Sequence, residues 1–153
     1  MNDKDKSTAS ANNRIIIGHI ENIDLPELGI SQMTARVDTG AQTSSLHVDN
    51  ITRIKKDKKP AVAFDIHPEI HNVEHKVRCE ALLHDVRKIK SSNGISEQRY
   101  VIKTPAILGT HQWDIEITLT NRSDMTYLML LGRQAMSDHF YIDAANAFVA
   151  SES

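Results

Sequence analysis

The segment Thr34-Ala35-Arg36-Val37-Asp38-Thr39-Gly40-Ala41 puts a carboxylate at the end of an apolar run, followed by a hydroxyl, a glycine and a small residue. That order has a mechanical reason. A carboxylate that shares a proton with a second carboxylate needs a rigid strand end, backbone donors nearby, and a glycine that lets another chain approach closely. Asp38 is therefore the candidate catalytic group, with Thr39 placed to hydrogen-bond across to a counterpart and Gly40 to give access. Asp and Gly are also ordinary turn formers, so the weight of the tripeptide comes from its surroundings.

Other residues could do chemistry too. His71-Asn72-Val73-Glu74-His75 has the H-x-x-E-H order of one class of zinc peptidases, which makes a metallopeptidase through His71, Glu74 and His75 the minor alternative. Val73, Val77 and Cys79 read this stretch as strand. At roughly 3.3 Å per residue the two histidines would then stand about 13 Å apart, too far for one zinc. Ser44, Ser45, His47 and Asp49 lack a nucleophile elbow; the serines more readily satisfy backbone groups behind the Asp38 loop. Arg53, Lys55, Lys56, Lys58 and Lys59 read as a solvated hairpin tip, or as a contact for an acidic partner. Cys79, the single cysteine, reads as inert core in a reducing compartment. No glycine-rich phosphate loop occurs, so no ATP site is expected.

The elements that must position these residues are mostly strands. From Ile15 onward the apolar period is two more often than 3.6, in short runs cut by turn residues, which predicts an all-β closed or sandwiched sheet. Strand-sized runs cover Ile15–Ile17, Met33–Val37, Val62–Ile66, Val73–Cys79 and Ile115–Leu119. Ser91-Ser92-Asn93-Gly94 joins Val86–Lys90 to Gln98–Ile102, and Asn-Gly there predicts a long β-hairpin. Tyr127–Leu131 should be a buried strand ending at Gly132, and Arg133-Gln134-Ala135-Met136 one short helix.

The order Asp-Thr-Gly, hairpin, apolar run, Gly132-Arg133, helix resembles that of the retroviral-type aspartic peptidases, the retropepsins. It is closer still to a bacterial family of retropepsin-like domains labelled "putative ATP-dependent zinc protease" and associated with ATP-grasp glutamate ligases. The residues that carry the likeness are Ala35–His47, Leu119-Thr120-Asn121-Arg122 and Leu130-Leu131-Gly132-Arg133. The resemblance implies a retropepsin-like closed barrel with one short C-terminal helix, whose Asp dyad comes from two copies of Asp38 in a homodimer. It also implies a flap at Ser91, Ser92, Asn93 and Gly94 which, with Ala41, holds an extended peptide, while Gln42, Gly132 and Arg133 support the site. Where retroviral enzymes usually carry an acid that pairs with the helix arginine, this chain has Gln42, so a charge-assisted clamp on Arg133 is absent or moved to another acid. A glutamate-ligase-linked acidic peptide enters as a possible partner by the same association.

Size and charge bound the rest. The chain's 153 residues fit one domain over residues 14–150, preceded by a polar arm, Met1–Asn13, expected to be disordered. With 18 Lys+Arg against 20 Asp+Glu, the broad basic field of a dedicated nucleic-acid binder is missing, and no run is long and apolar enough for a membrane span. A cytoplasmic aspartic endopeptidase without metal or cofactor is the resulting expectation. A non-catalytic peptide-binding module using the same groove is the alternative.

Overall fold

The computed structural model describes residues 14–68, 74–90, 93–121 and 126–152. The N-terminal arm, His71, Ser91, Ser92 and Arg122 lie outside the described residues. The strands are β1 (Ile15–Gly18), β2 (Ile20–Leu25), β3 (Ile30–Val37), β4 (Ser44–Lys56), β5 (Lys59–Ile66) and β6 (Val77–Leu82). They continue as β7 (Asp85–Lys90), β8 (Ser96–Leu108), β9 (His111–Thr120), β10 (Met129–Leu131) and β11 (Phe140–Asp143), with one helix, α1 (Arg133–Met136).

The sheet runs β10-β3-β2-β8-β9-β4 and then closes, because β10 pairs with β4 as well as with β3. A ring has no open edge along those strands, and its inward faces fill one core that includes Ile23, Leu46, Phe64, Ile102, Ile115, Ile117 and Met129. The all-β expectation, with one short helix, matches this architecture. β5 and β6 extend the sheet beyond β4, and β7 pairs only with β8, so the β7–β8 hairpin stands out from the ring.

Several local expectations change. The strand expected from Val73 begins at Val77; Glu74 sits in a turn, and Val77 is 39% exposed. The strand geometry that separated the H-x-x-E-H histidines therefore does not extend through Glu74. Tyr127–Leu131 narrows to the three residues of β10, and Leu130 is only half-buried because one side of it faces the groove described below. The expected β7–β8 hairpin is present, with its second strand starting earlier: Lys90 pairs with Ser96, Gly94 takes a positive φ (86°), and the Asn93 side chain accepts from the Ile95 N–H. One tight two-residue turn lies at Gly109-Thr110 and another at Asp57-Lys58, where φ is 53° and 67° without a glycine. The basic residues around it, Arg53, Lys55, Lys56, Lys58 and Lys59, are exposed.

The C-terminal segment finishes this chain's own fold. β11 runs parallel to β1, with Ile15 opposite Phe140 and Ile17 opposite Ile142. Beyond it, the buried carboxylate of Glu21 accepts from the backbone N–H groups of Gly18 (2.7 Å), Val149 (2.9 Å), Ala150 (3.0 Å) and Ser151 (3.0 Å), and from the Ser151 hydroxyl. Burial by itself would raise the Glu21 pKa. The hydrogen bonds from Gly18, Ser151, Ala150 and Val149 outweigh it and hold the carboxyl below its ordinary 4.5.

Because its folded pKa is depressed, Glu21 stabilises the fold fully above about pH 4.5, and that contribution fades as pH falls through the lower folded value. Glu21→Gln should cost roughly 2–3 kcal/mol in denaturant unfolding at neutral pH. It should also make Val149–Ser151 exchange amide hydrogens faster, and it should flatten the acid limb of the stability profile.

Candidate active site

β3 leads straight into the Asp38 loop, and β10 holds that loop from below. Val37 lies opposite Leu131 in the parallel β3–β10 pair, so the Asp38 N–H donates to the Leu131 carbonyl at 2.9 Å. On its other edge β10 runs antiparallel to β4, with Met129 opposite Leu46 and Leu130 opposite Ser45. A three-residue strand thus sits between the two strands that enter and leave the loop. Within the loop the Gly40 N–H donates to Asp38 Oδ1 at 3.0 Å and the Ala41 N–H to the Asp38 carbonyl at 3.2 Å, which fixes the carboxylate's orientation. Asp38 is half-buried, and Thr39 and Gly40 beside it are exposed.

The start of α1 clamps the loop from the side. Arg133 N–H donates to the Ala41 carbonyl (2.9 Å), Gln134 N–H to the Gln42 carbonyl (2.8 Å), and the Arg133 guanidinium to the Thr39 carbonyl (2.9 Å). Gln42 therefore contributes through its backbone, and Arg133, with no acid at position 42 to pair with, engages the backbone beside Asp38. Gly132 N–H donates to Ser44 Oγ at 3.0 Å, so Ser44 supports the backbone behind the loop as its residue type implied. A Cβ on Gly132 would lie 2.6 Å from the Thr43 carbonyl carbon and 2.9 Å from the Ser44 nitrogen. Only glycine permits that approach. Trp113 Nε1 ties α1 down by donating to the Ala135 carbonyl at 2.9 Å.

Asp38, Gly40, Ala41 and Gln42 line one wall of a groove of about 740 Å³. The other wall is the β7–β8 hairpin, with Arg87, Lys88, Ile89, Lys90 and Arg99. The sequence placed peptide contacts at the hairpin tip, yet Asn93 and Gly94 sit beyond this wall; Ser91 and Ser92 lie outside the described residues. The cationic wall went unread, although the alternating charges of Arg87, Lys88 and Lys90 were its signal. Arg87 anchors the wall. Its guanidinium donates to Glu116 and to Asp85 (2.8 Å) and reaches the Thr43 hydroxyl at 3.4 Å. The hydrogen bonds to Glu116 and Asp85 hold Arg87 more firmly protonated, and those from Arg87 and the Val86 N–H hold Asp85 below the usual carboxylate range.

The other candidates separate from the groove. Cys79 is half-buried with its thiol against the Leu28 carbonyl at 3.4 Å, and burial, then the Asp65 charge, pushes its pKa up, away from nucleophile character. Ser44 Oγ is engaged by Gly132, while His47 Nε2 faces Asp49, so no serine triad assembles. Glu74 and His75 are exposed in a turn.

A carboxylate loop carried by β3, braced by an inserted strand and a glycine-led helix, and faced by a hairpin is the arrangement of an aspartic-peptidase-like fold. The chain belongs to the RimB-like family, described as retropepsin-like aspartic endopeptidase RimB, which it matches over residues 16–153. Proteins named probable alpha-L-glutamate ligase are similar to it: one from Shewanella pealeana is 46% identical over 93% of this chain, and one from Desulfotalea psychrophila is 48% identical over 85%. The matched part is 31% and 28% of those relatives, so the chain spans under a third of their length. Among solved structures, the Legionella pneumophila protein Lpg0085, of unknown function, superposes with a TM-score of 0.73 at 31% identity, covering 89% of this chain and 98% of that one.

Gly132→Ala should destabilise the chain by roughly 1–3 kcal/mol, because the clash is with backbone that cannot rotate away. Circular dichroism with denaturant checks this. Amides of Lys88–Lys90 and Asn93–Gln98 should exchange at least roughly 100-fold faster than those of Met129–Leu131, since β7 has one partner strand and an exposed face. Equal protection would rule out a mobile cover.

Proposed function

We propose that this domain is an aspartic endopeptidase of retropepsin type, in which two copies of Asp38 act on one peptide bond. The observation that carries the reading is the braced Asp38 loop opening onto a groove faced by the β7–β8 hairpin. One carboxylate takes a proton from water as the water oxygen attacks the scissile carbonyl, and the partner's carboxyl donates its proton to the carbonyl oxygen. Collapse of the tetrahedral species then breaks the C–N bond, and the amine leaves with a proton. The chain has a single Asp-Thr-Gly, so the second carboxylate comes from a second copy across a two-fold axis. Exposed Thr39 and Gly40 leave room for that approach. β11 is already used inside the chain, and the exposed pair Ile16 and Tyr141 (56% and 46%) offers an apolar patch to the other copy.

The groove favours acidic peptides. Arg87 and Arg99 are steadied by Glu116 and Glu97, and Lys88 and Lys90 beside them are exposed. Relatives named as glutamate ligases point to a peptide carrying added glutamates as the acidic substrate. Proteolysis in the reducing interior of the cell suits the single thiol.

The test is cleavage of a peptide library from pH 3 to 8 by the intact chain over a range of concentrations, with sedimentation in parallel. Cleavage should favour Glu-rich peptides, rise more steeply than linearly with enzyme, survive EDTA, and vanish in Asp38→Asn with the fold intact. Lys88→Glu should lower kcat/KM for acidic peptides about tenfold, an effect that shrinks with salt. Binding without cleavage by the wild type at every pH would leave the peptide-binding module as the function.

A further inference from the structure

We propose that His47, Asp49 and His67 form a binding site for one divalent transition-metal ion of the zinc class, pinning β4 to the end of β5. The site arises from strand geometry. His47 and Asp49 are two residues apart on β4 and so share a face. Val48 lies opposite Ile66 in the antiparallel β4–β5 pair, so the next step along each strand brings His67 across from His47. The two rings stack with centroids 5.4 Å apart and planes 26° apart. Both turn Nε2 to one carboxylate, from different sides: His67 Nε2 is 2.7 Å from Asp49 Oδ2, and His47 Nε2 is 3.8 Å from Asp49 Oδ1.

The distances suit a metal. One ligand atom from each residue lies within 4.8 Å of the other two. Three ligands at ~2.0–2.1 Å from a tetrahedral ion stand about 3.3 Å from one another, so the three atoms need shift by only about an ångström. Two imidazoles and one carboxylate are a donor set for zinc, cobalt or nickel; magnesium and calcium prefer oxygen alone. The imidazoles are nearly buried, at 9% and 4% exposure, while the Asp49 side chain retains 24% and leaves a fourth position for water. Lys76 Nζ, 3.6 Å from Asp49 Oδ2, competes for the same charge, and its side chain is 45% exposed and long enough to swing out. The role is a tie. Ser45, on the same face of β4, lines the groove, so an ion here stiffens the strand just beyond the site without touching the reacting atoms.

The experiment is titration of the chelator-stripped intact chain with Zn²⁺ by calorimetry and with Co²⁺ by visible absorption, with X-ray absorption on the zinc form. One equivalent should bind, cobalt should give the intense bands of a tetrahedral site, and zinc should raise the melting temperature. His67→Ala and Asp49→Asn should each weaken binding roughly 100-fold or more and abolish the thermal shift. Asp38→Asn should bind like the wild type. Lys76→Met should bind roughly 5-fold tighter, because a competing cation is gone. If His67→Ala fails to fold, X-ray absorption of the wild type still decides, showing two imidazoles and one carboxylate oxygen. Absence of stoichiometric binding overturns the proposal. So does binding lost in His71→Ala but unchanged in Asp49→Asn, which would place the ion on the H-x-x-E-H segment.

Discussion

Met129, Leu130 and Leu131, through their backbone hydrogen bonds, hold the whole arrangement in register. β10 runs parallel to β3 and antiparallel to β4, and it is the piece that turns an open sheet into a ring. The Asp38 N–H reaches the Leu131 carbonyl because Val37 already faces Leu131. The glycine that follows can then enter against Thr43 and Ser44, and α1 begins where its first two N–H groups meet the Ala41 and Gln42 carbonyls. Each step depends on the one before it. A carboxylate on so short a loop owes its fixed orientation to that sequence of backbone contacts more than to any side chain.

The side chains that do matter near the loop are those that convert charge into position. In place of an acid at Gln42, Arg133 binds a backbone carbonyl beside Asp38. Elsewhere Arg87 joins three elements, with Asp85 on its own strand, Glu116 on β9 and Thr43 on the loop. The hairpin is thereby anchored to the ring beside the groove that it lines. Neutralising Arg87 with two acids also keeps the cationic wall from repelling itself.

Sequence revealed what is local and hid what is distant. Asp38-Thr39-Gly40 and Leu131-Gly132-Arg133 are contiguous, so residue order alone located the loop and the helix that clamps it. Asn93-Gly94 located the hairpin, but not that Arg87–Lys90 line the groove beside Asp38. Nothing local marks Glu21 as buried, because most of the N–H groups it satisfies come from Val149–Ser151, over a hundred residues away along the chain. His47 and Asp49 were legible as neighbours on one strand, but His67 was not legible beside them, since the β4–β5 register that brings it across is a tertiary fact. The strand expected from Val73 failed for a related reason. Alternation persists through Glu74 and His75, but the partner strand β5 pairs only with residues from Val77 onward.

The ring's closure has a kinetic corollary. Ala35 pairs with Met129, Ser44 with Ile117 and Ile15 with Phe140, so the parallel ladders join residues far apart along the chain. No local hairpin nucleates these ladders, and the entropy of closing long loops is lost before any pairing compensates it. Such topologies fold on the scale of milliseconds to seconds, and until β10 seats, β3 and β4 expose the edges that the finished ring conceals. A nascent copy is therefore at its most vulnerable to edge-to-edge association during that interval, and whatever speeds the seating of β10 shortens that exposure.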